Sequence, residues 1–157
     1  MTLPRVKPII PTWRNDPFDD PDWLFDLKYD GFRGLFHLQR GRGRFISRNS
    51  STLSRFEALG DQVATELDVT DAVLDGEVIA ADETGRPQFY DLLRRARAPA
   101  YVAFDILWVD GADLRSLPLS ERRKRLQAIL PAKSAISSEA LSVTGPRPRT
   151  LQSDVRK

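Results

Sequence analysis

A lysine placed between two carboxylates is the part of this sequence best suited to chemistry. It lies in the stretch WLFDLKYDGFRG, residues 23–34, where Asp26, Lys28 and Asp30 alternate with mainly apolar residues. Successive side chains of a β-strand point to opposite faces. A strand over residues 23–29 would therefore carry the amine and the carboxylates on one face and apolar side chains on the other.

An amine in this setting needs activation before it can act as a nucleophile. The reference pKa of a lysine is about 10.4; neighbouring carboxylates raise it, whereas burial or nearby cations lower it. Nucleophilic catalysis by Lys28 therefore requires a divalent metal or arginines that offset the acids. Arg33 and Arg48 could supply that charge and bind phosphate or ribose oxygens through their planar, forked donors.

Two later motifs add the other parts of a nucleotide site. In LDGE, Asp75 and Glu77 share one parity of a predicted strand and could hold a hard metal or a ribose hydroxyl. In AFDILW, Phe104 offers a flat apolar ring beside Asp105. Lysine, arginines, carboxylates and an aromatic ring together indicate a site for a nucleotide with Mg²⁺.

Each piece also has an ordinary structural explanation when it is taken alone. A single K-x-D-G-x-R string is short enough to occur by chance, and Asp30–Gly31 is a common turn dipeptide. Phe104 lies in so apolar a run that core packing is its default role, and Arg48 could simply belong to a loop. The ordered set, in which every piece ends or lines a predicted strand, favours the functional interpretation.

The spacing of apolar residues predicts an α+β fold, with antiparallel strands and helices packed against them. Strands are expected at 23–29, 34–39, 43–48, 71–82, 100–109 and 137–143. Helices are expected at 54–67, 88–97 and 121–130, the first capped by Ser54 and the last by Ser120. The run at 100–109 is apolar almost throughout, which is typical of a strand buried on both faces.

Composition excludes several classes of protein. The 157 residues suit one domain, and the 41% hydrophobic content can bury a core. The absence of cysteine and the single histidine, His37, exclude thiol chemistry, disulfides and multi-histidine metal centres. A net charge of +2 makes no strong case for nucleic acid. With no membrane span or signal peptide in the sequence, a soluble cytoplasmic protein without a membrane partner is expected.

Four motifs in this order and at this spacing resemble the adenylation domain of ATP-dependent DNA ligases: DLKYDGFR, SRN, LDGEVIA and VAFDILW. The resemblance covers about residues 5–145 and is greatest to the ligase module of bacterial non-homologous end-joining enzymes. It implies a nucleotidyltransferase (ATP-grasp-like ligase) fold with ATP between two antiparallel sheets, and a role in DNA repair and recombination.

The resemblance also implies a role for each matched residue. Lys28 would attack the α-phosphate of ATP and form lysyl-AMP, whose AMP passes to a 5′-phosphate at a nick in DNA before a 3′-hydroxyl displaces it. The other roles would be adenine-edge contact for Asp26, positioning of lysine and metal for Asp30, ribose and phosphate binding for Arg33 and Arg48, a ribose hydroxyl or metal water for Glu77, and adenine stacking for Phe104. Mg²⁺ would lie at Asp30 and Glu77.

Three segments follow from these patterns. The proline-rich residues 1–22 predict an extended lead-in, 23–145 a partial adenylation domain, and the basic residues 146–157 a mobile tail. The family continues with E-G-x-x-x-K, K-x-K and an oligonucleotide-binding barrel, which this sequence does not match. We therefore expect a fold incomplete at its C-terminus, impaired ligation of nicked or broken double-stranded DNA, and a homodimer, or else the lead-in or tail, covering the open sheet.

The sequence alone leaves other interpretations of the function open. An RNA ligase or an mRNA capping guanylyltransferase shares K-x-D-G, and labelling with ATP against GTP would separate them. A non-catalytic remnant that binds nucleotide or DNA, or that associates with itself, would form no lysyl-AMP. A product without selected function is the third alternative.

Overall fold

The computed structural model describes residues 2–24 and 26–131 and the backbone of 136–137. These residues divide into two compact units. The first comprises 2–9, 29–131 and 136–137; the second comprises 10–24 and 26–28. The second unit contains no helix or strand among its described residues. The fold that positions the candidate site is therefore that of the first unit.

One mainly antiparallel sheet forms the centre of the first unit. Its strands are β1 (Phe32–Gln39), β2 (Arg42–Ile46), β3 (Asp71–Ile79), β4 (Ala100–Val109), β5 (Ala112–Asp113) and β6 (Ile136–Ser137). Their order is β2-β1-β3-β4-β5, and β6 pairs with β4 in parallel. Within the described ranges, this is one sheet of the two that the family resemblance implies, and the predicted α+β class is confirmed.

Helices cover one face of this sheet. They are a 3₁₀ turn (Ser54–Phe56), α1 (Glu57–Glu66), α2 (Phe89–Arg94) and α3 (Leu119–Ile129). The three predicted helices are confirmed, but their predicted caps are wrong, because no side-chain cap bond forms at any of these starts. Ser120 lies inside α3, which starts at Leu119 behind Pro118. Proline is well suited to a helix start because its φ is already fixed.

The two faces of the sheet bury apolar side chains to different extents. Phe36, Leu74 and Tyr101 are fully buried on the helical face. The opposite face carries a smaller cluster of Leu35, Val73 and Leu107, against which Leu3 and Val6 of the lead-in pack. The lead-in therefore covers part of the sheet face that a homodimer was expected to cover. The homodimer itself stays a prediction.

The predicted strand at 23–29 is wrong, since its described residues contain no strand. β1 begins only at Phe32, which pairs with Val78, and β3 ends one residue further on. None of the strands within the described ranges extends far enough to pair with the chain before Gly31. Three other elements end earlier than predicted: β2 ends at Ile46, β3 at Ile79 and α2 at Arg94. Most of the strand predicted at 137–143 lies outside the described residues.

Candidate functional site

An arginine and an aspartate on neighbouring strands form the centre of the candidate site. Arg33 of β1 donates from Nε and Nη2 to the two carboxylate oxygens of Asp75 of β3, over 3.1 and 2.7 Å. The Asp75 side chain is 7% exposed, and Arg33 also donates from Nη1 to the Ile9 carbonyl over 2.9 Å. The bonds to Asp75 raise the pKa of Arg33. A guanidinium held in this way is permanently charged and fixed in orientation.

Glu77 lies directly opposite Arg33 in the pairing of β1 with β3. Its carboxylate accepts a hydrogen bond of 3.0 Å from the backbone N–H of Gly31. A Cβ atom at Gly31 would overlap the carbonyl of Val78 and crowd the Glu77 side chain. The glycine of DGFR is thus required by the close approach of two strands, not by a turn with positive φ.

Phe104 reaches the same site because β4 is irregular at that point. Ala103 pairs with Gly76 and Asp105 pairs with Asp75, so Phe104 is an extra residue without a partner. Such a β-bulge redirects the local side chains. The Phe104 ring is half-buried, and the guanidinium carbon of Arg33 lies 5.7 Å from its centroid. The ring therefore lies beside fixed positive charge.

Two arginines of α3 hold this bulge in place. Arg122 donates from Nε and Nη2 to both oxygens of Asp105, each over 2.8 Å, and the two side chains are only 13% and 12% exposed. The same carboxylate accepts from the backbone N–H of Ile106 over 2.8 Å. Arg123 donates to the Phe104 carbonyl over 3.3 Å. The helix is thus bonded to the residues that set the direction of Phe104.

The glycine of LDGE also has a packing reason. A Cβ atom at Gly76 would overlap the Val102 carbonyl and lie about 2.6 Å from the ring of Tyr101. That tyrosine is completely buried and donates its hydroxyl to the Gly34 carbonyl over 3.0 Å. Burial raises the pKa of Tyr101 well above its usual value. The site therefore lies above a close-packed layer, in which Tyr101 of β4 packs directly against Gly76 of β3.

The structure brings Arg33, Glu77 and Phe104 together but leaves other predicted site residues apart. Arg48 is exposed in a turn beyond the end of β2, and it makes no hydrogen bond or ion pair with the described residues. Its predicted place at a strand end is wrong, since the strand stops at Ile46. Asp30 is exposed and directly precedes Gly31, whose amide Glu77 holds.

Asp26 and Lys28 belong to the second unit, where both side chains are exposed. The chain connects Lys28 to Asp30 through the single residue Tyr29, so the lysine is close in sequence to Asp30 and to the start of β1. The predicted roles of both residues therefore stay predictions.

Two functional contacts were not predicted from the sequence. Asp75 was considered for a metal or a ribose hydroxyl, whereas its carboxylate is occupied by Arg33. Arg122 was placed only in the helix predicted at 121–130, whereas it is the partner of Asp105. Asp75 and Glu77 are two residues apart in LDGE, and this spacing correctly predicted that both side chains lie on the same face of the sheet.

The acidic residues at this site suit a magnesium ion only together with a substrate. Within the described ranges, no group of three or more histidine, cysteine or acidic side chains could enclose a metal. Mg²⁺ is commonly held by one or two carboxylates, several waters and substrate phosphates. Glu77 and the neighbouring Asp30 therefore fit this ion, whereas Asp75 is already paired with Arg33. Among the helices of the described ranges, none has the length and apolar character of a membrane span.

The sheet and this arrangement of side chains define a nucleotidyltransferase-like α+β domain. Residues 14–148 match the family model described as ATP dependent DNA ligase domain, and the chain belongs to that family. The likeness includes the candidate site, because all seven site residues predicted from the sequence lie within the matched range.

Several named relatives resemble the chain. The multifunctional non-homologous end joining protein LigD of Mycolicibacterium smegmatis is 36% identical over 130 residues, which are 79% of this chain and 16% of the relative. LigD of Pseudomonas aeruginosa is 34% identical, covering 69% of this chain and 14% of the relative. The prophage-derived DNA ligase-like protein LigB of Bacillus subtilis is 32% identical over 79% of this chain and 47% of the relative. The chain thus spans less than half of each relative.

Solved structures show the same likeness. A mycobacterial DNA ligase D complexed with ATP and MES superposes with a TM-score of 0.57 at 30% identity, covering 68% of this chain and 36% of that one. The ligase domain of M. tuberculosis LigD gives a TM-score of 0.54 at the same identity, covering 64% and 34%. The fold assignment therefore agrees with the family assignment.

Proposed function

We propose that this chain carries out the adenylation step of an ATP-dependent DNA ligase, with Lys28 as the nucleophile. The observation that carries the proposal is the side-by-side placement of Arg33, Glu77 and Phe104. In the sequence, the strand that carries Arg33 begins shortly after Lys28. Family membership and a similar ligase structure that is complexed with ATP support it.

In the proposed step, the neutral amine of Lys28 attacks the α-phosphorus of ATP. The new N–P bond forms as the bond from that phosphorus to the bridging oxygen breaks, pyrophosphate leaves, and the amine loses a proton. The resulting lysyl-AMP passes its AMP to a 5′-phosphate at a break in DNA. A 3′-hydroxyl then displaces AMP and closes the strand.

Each neighbouring residue has a stated task in this proposal. Phe104 offers an apolar ring for the adenine, and Arg33, fixed by Asp75, supplies positive charge and donors beside ribose and phosphate. The exposed Arg48 adds a flexible contact to phosphate.

The acidic residues have two tasks. Asp26 contacts the adenine edge, while Glu77 and Asp30 would hold Mg²⁺. Glu77, which lies opposite Arg33 in the pairing of β1 with β3, also bonds a ribose hydroxyl. When bound, the ion neutralises phosphate charge as it develops in the reaction.

The names of the relatives support the choice of substrate. They are named as DNA ligases and as non-homologous end joining proteins. We propose nicked or broken double-stranded DNA as the partner, and the cytoplasm as the compartment that holds both this DNA and ATP. Because the chain spans less than half of these relatives, complete sealing of a nick is a proposal for the chain together with further parts.

Labelling with ATP and GTP tests the proposal. The parent chain, incubated with α-³²P-labelled ATP and Mg²⁺, should acquire a label that survives a denaturing gel, whereas labelled GTP should not. Lys28→Ala should abolish the label. Lys124→Ala is the matched control, since Lys124 is 70% exposed on α3 and paired with Glu121. Equal labelling of the Lys28→Ala variant and the parent would contradict the assignment, and a preference for GTP would favour a capping-type enzyme.

A further inference from the structure

A second basic site lies on the helical side of the sheet. A pocket of about 350 Å³ opens between the 3₁₀ turn and the end of α2, lined by Arg55, Arg95 and Arg97 together with Phe56, Leu92 and Pro99. Phe32, which contacts Arg55, precedes Arg33 in β1. Successive strand residues point to opposite faces, so the pocket is separate from the Arg33 site.

Arg55 forms the fixed wall of this pocket. Its Nη2 donates to the carbonyls of Leu92 and Leu93 over 2.8 and 3.2 Å, at the C-terminal end of α2. Its guanidinium lies over the rings of Phe32 and Phe56, 5.2 and 5.0 Å from their centroids. The buried Nε has no hydrogen-bond partner in the described structure. The pocket thus has one positive charge that cannot move away.

The acids near this pocket are already used by a single arginine. Arg97 donates to Asp91 over 2.8 Å and to Glu83 over 2.8 Å. The bond from Arg97 to Glu83 is the main cause that holds the pKa of Glu83 below its usual value. Arg97 therefore pairs with both carboxylates, and neither carboxylate neutralises the charge of Arg55 or Arg95. These two arginines can bind another anion.

Arg95 is held in an unusual backbone conformation at the mouth of the pocket. It follows α2 with φ 59° and ψ 30°, the left-handed position at which helices usually carry glycine. Its side chain and that of Arg94 are exposed, and neither forms a hydrogen bond or ion pair with the described residues. Strained non-glycine residues tend to occur at functional positions. An unpaired arginine in this conformation therefore points to a ligand.

We infer that this pocket binds a backbone phosphate of duplex DNA, and the inference rests on the proposed function for the choice of DNA. Arginine forks match the geometry of phosphate oxygens, and phosphate contacts fix the register of a protein on a duplex without reading its sequence. Arg95 and the fixed Arg55 hold one phosphate, and Arg94 contacts the next. The pocket thereby fixes the backbone of the duplex away from the break, while the Arg33 site takes the nucleotide on the other face of the sheet.

The salt dependence of DNA binding tests this inference. Anisotropy of a fluorescein-labelled nicked duplex is measured against the chain at several KCl concentrations. Loss of one phosphate contact should reduce the slope of log K against log[KCl] by about 0.9. Arg95→Asn should show this reduction together with a several-fold loss of affinity at low salt. Asparagine tolerates the left-handed conformation, so the backbone is preserved.

Arg40→Asn is the matched control. Arg40 is also an exposed arginine with positive φ, 53°, but it lies at the turn between β1 and β2 and not at this pocket. The slope of log K against log[KCl] for Arg40→Asn should equal that of the parent. An unchanged slope in Arg95→Asn, or an equal reduction in Arg40→Asn, would overturn the inference, as would stronger binding of an RNA duplex in a competition arm.

Lysyl-AMP formation in the same samples separates this inference from the proposed function. Arg95→Asn should be labelled by ATP as the parent is, because the pocket lies away from Arg33 and Phe104. A parent that is labelled but has no DNA affinity at low salt would overturn the inference alone. A parent that binds DNA through Arg95 but is never labelled would overturn the proposed chemistry alone.

Discussion

Replacement of Arg122 by alanine should destabilise the chain strongly, because it leaves a buried carboxylate without its partner. Arg122 supplies two bonds of 2.8 Å to Asp105, and the two side chains are 13% and 12% exposed. Without the guanidinium, the Asp105 carboxylate keeps, among the described residues, only the bond from the backbone N–H of Ile106. The bulge that directs Phe104 towards Arg33 then loses its main support.

The expected magnitude follows from this burial. Removing one member of a buried ion pair costs about 3–5 kcal/mol. The same change in an exposed pair costs about 0–1 kcal/mol. Arg115 with Asp113 provides the comparison, since it has the same two-bond geometry, at 2.9 and 2.6 Å, but its side chains are 46% and 43% exposed. We expect Arg122→Ala to cost about 3 kcal/mol more than Arg115→Ala.

Urea unfolding followed by tryptophan fluorescence measures both variants. With a slope of about 1–3 kcal/mol per molar urea, a loss of about 3 kcal/mol lowers the midpoint by about 1–3 M. Arg122→Ala should also weaken ATP binding through Phe104, whereas Arg115→Ala should not. If the two variants unfold within about 0.5 kcal/mol of each other, the buried pair does not have the structural role assigned to it.

Three further predictions concern the site and its surroundings. Gly31→Ala should destabilise the chain by about 1–3 kcal/mol and reduce ATP labelling, because its methyl group would displace the strand end that bonds Glu77; unchanged urea unfolding would contradict the close approach. Phe104→Ala should lower ATP affinity by titration but cost less than the roughly 3–5 kcal/mol of a fully buried phenylalanine, since its ring is half-buried; a loss of stability without a loss of affinity would assign it to the core. Burial, and secondly Arg44, lower the pKa of His37 in the folded chain, so the unfolded chain binds the proton first. The free energy of unfolding should therefore fall as the pH drops below about 6.5, and His37→Gln should flatten that part of the profile. Identical pH profiles of the variant and the parent would refute this prediction.

Much of the fold could be predicted from local pattern. The run at 100–109 is β4 with the predicted bounds, because a continuous apolar run between turn signals marks both ends of the strand. The helix predicted at 54–67 is found as a 3₁₀ turn followed by α1. Its apolar spacing fixed the face that packs on the sheet.

The contacts that build the site depend on long-range pairing and were not predictable in the same way. The alternation around Lys28 is genuine, but a strand needs a neighbour, and β3 ends at Ile79 before it could pair there. The partners of Arg33 and Asp105 lie 42 and 17 residues away along the chain. A bulge at Phe104 leaves no periodic signal in sequence, since it appears only when two registers are compared.

The most direct test of the central claim is the intact mass of the purified chain after incubation with ATP and Mg²⁺. We expect a gain of one adenylate group that is lost in Lys28→Ala and kept in Lys124→Ala. Peptide mapping should locate the group on the segment that contains Lys28. A chain whose mass does not change, or an adenylate group found on another lysine, would contradict it.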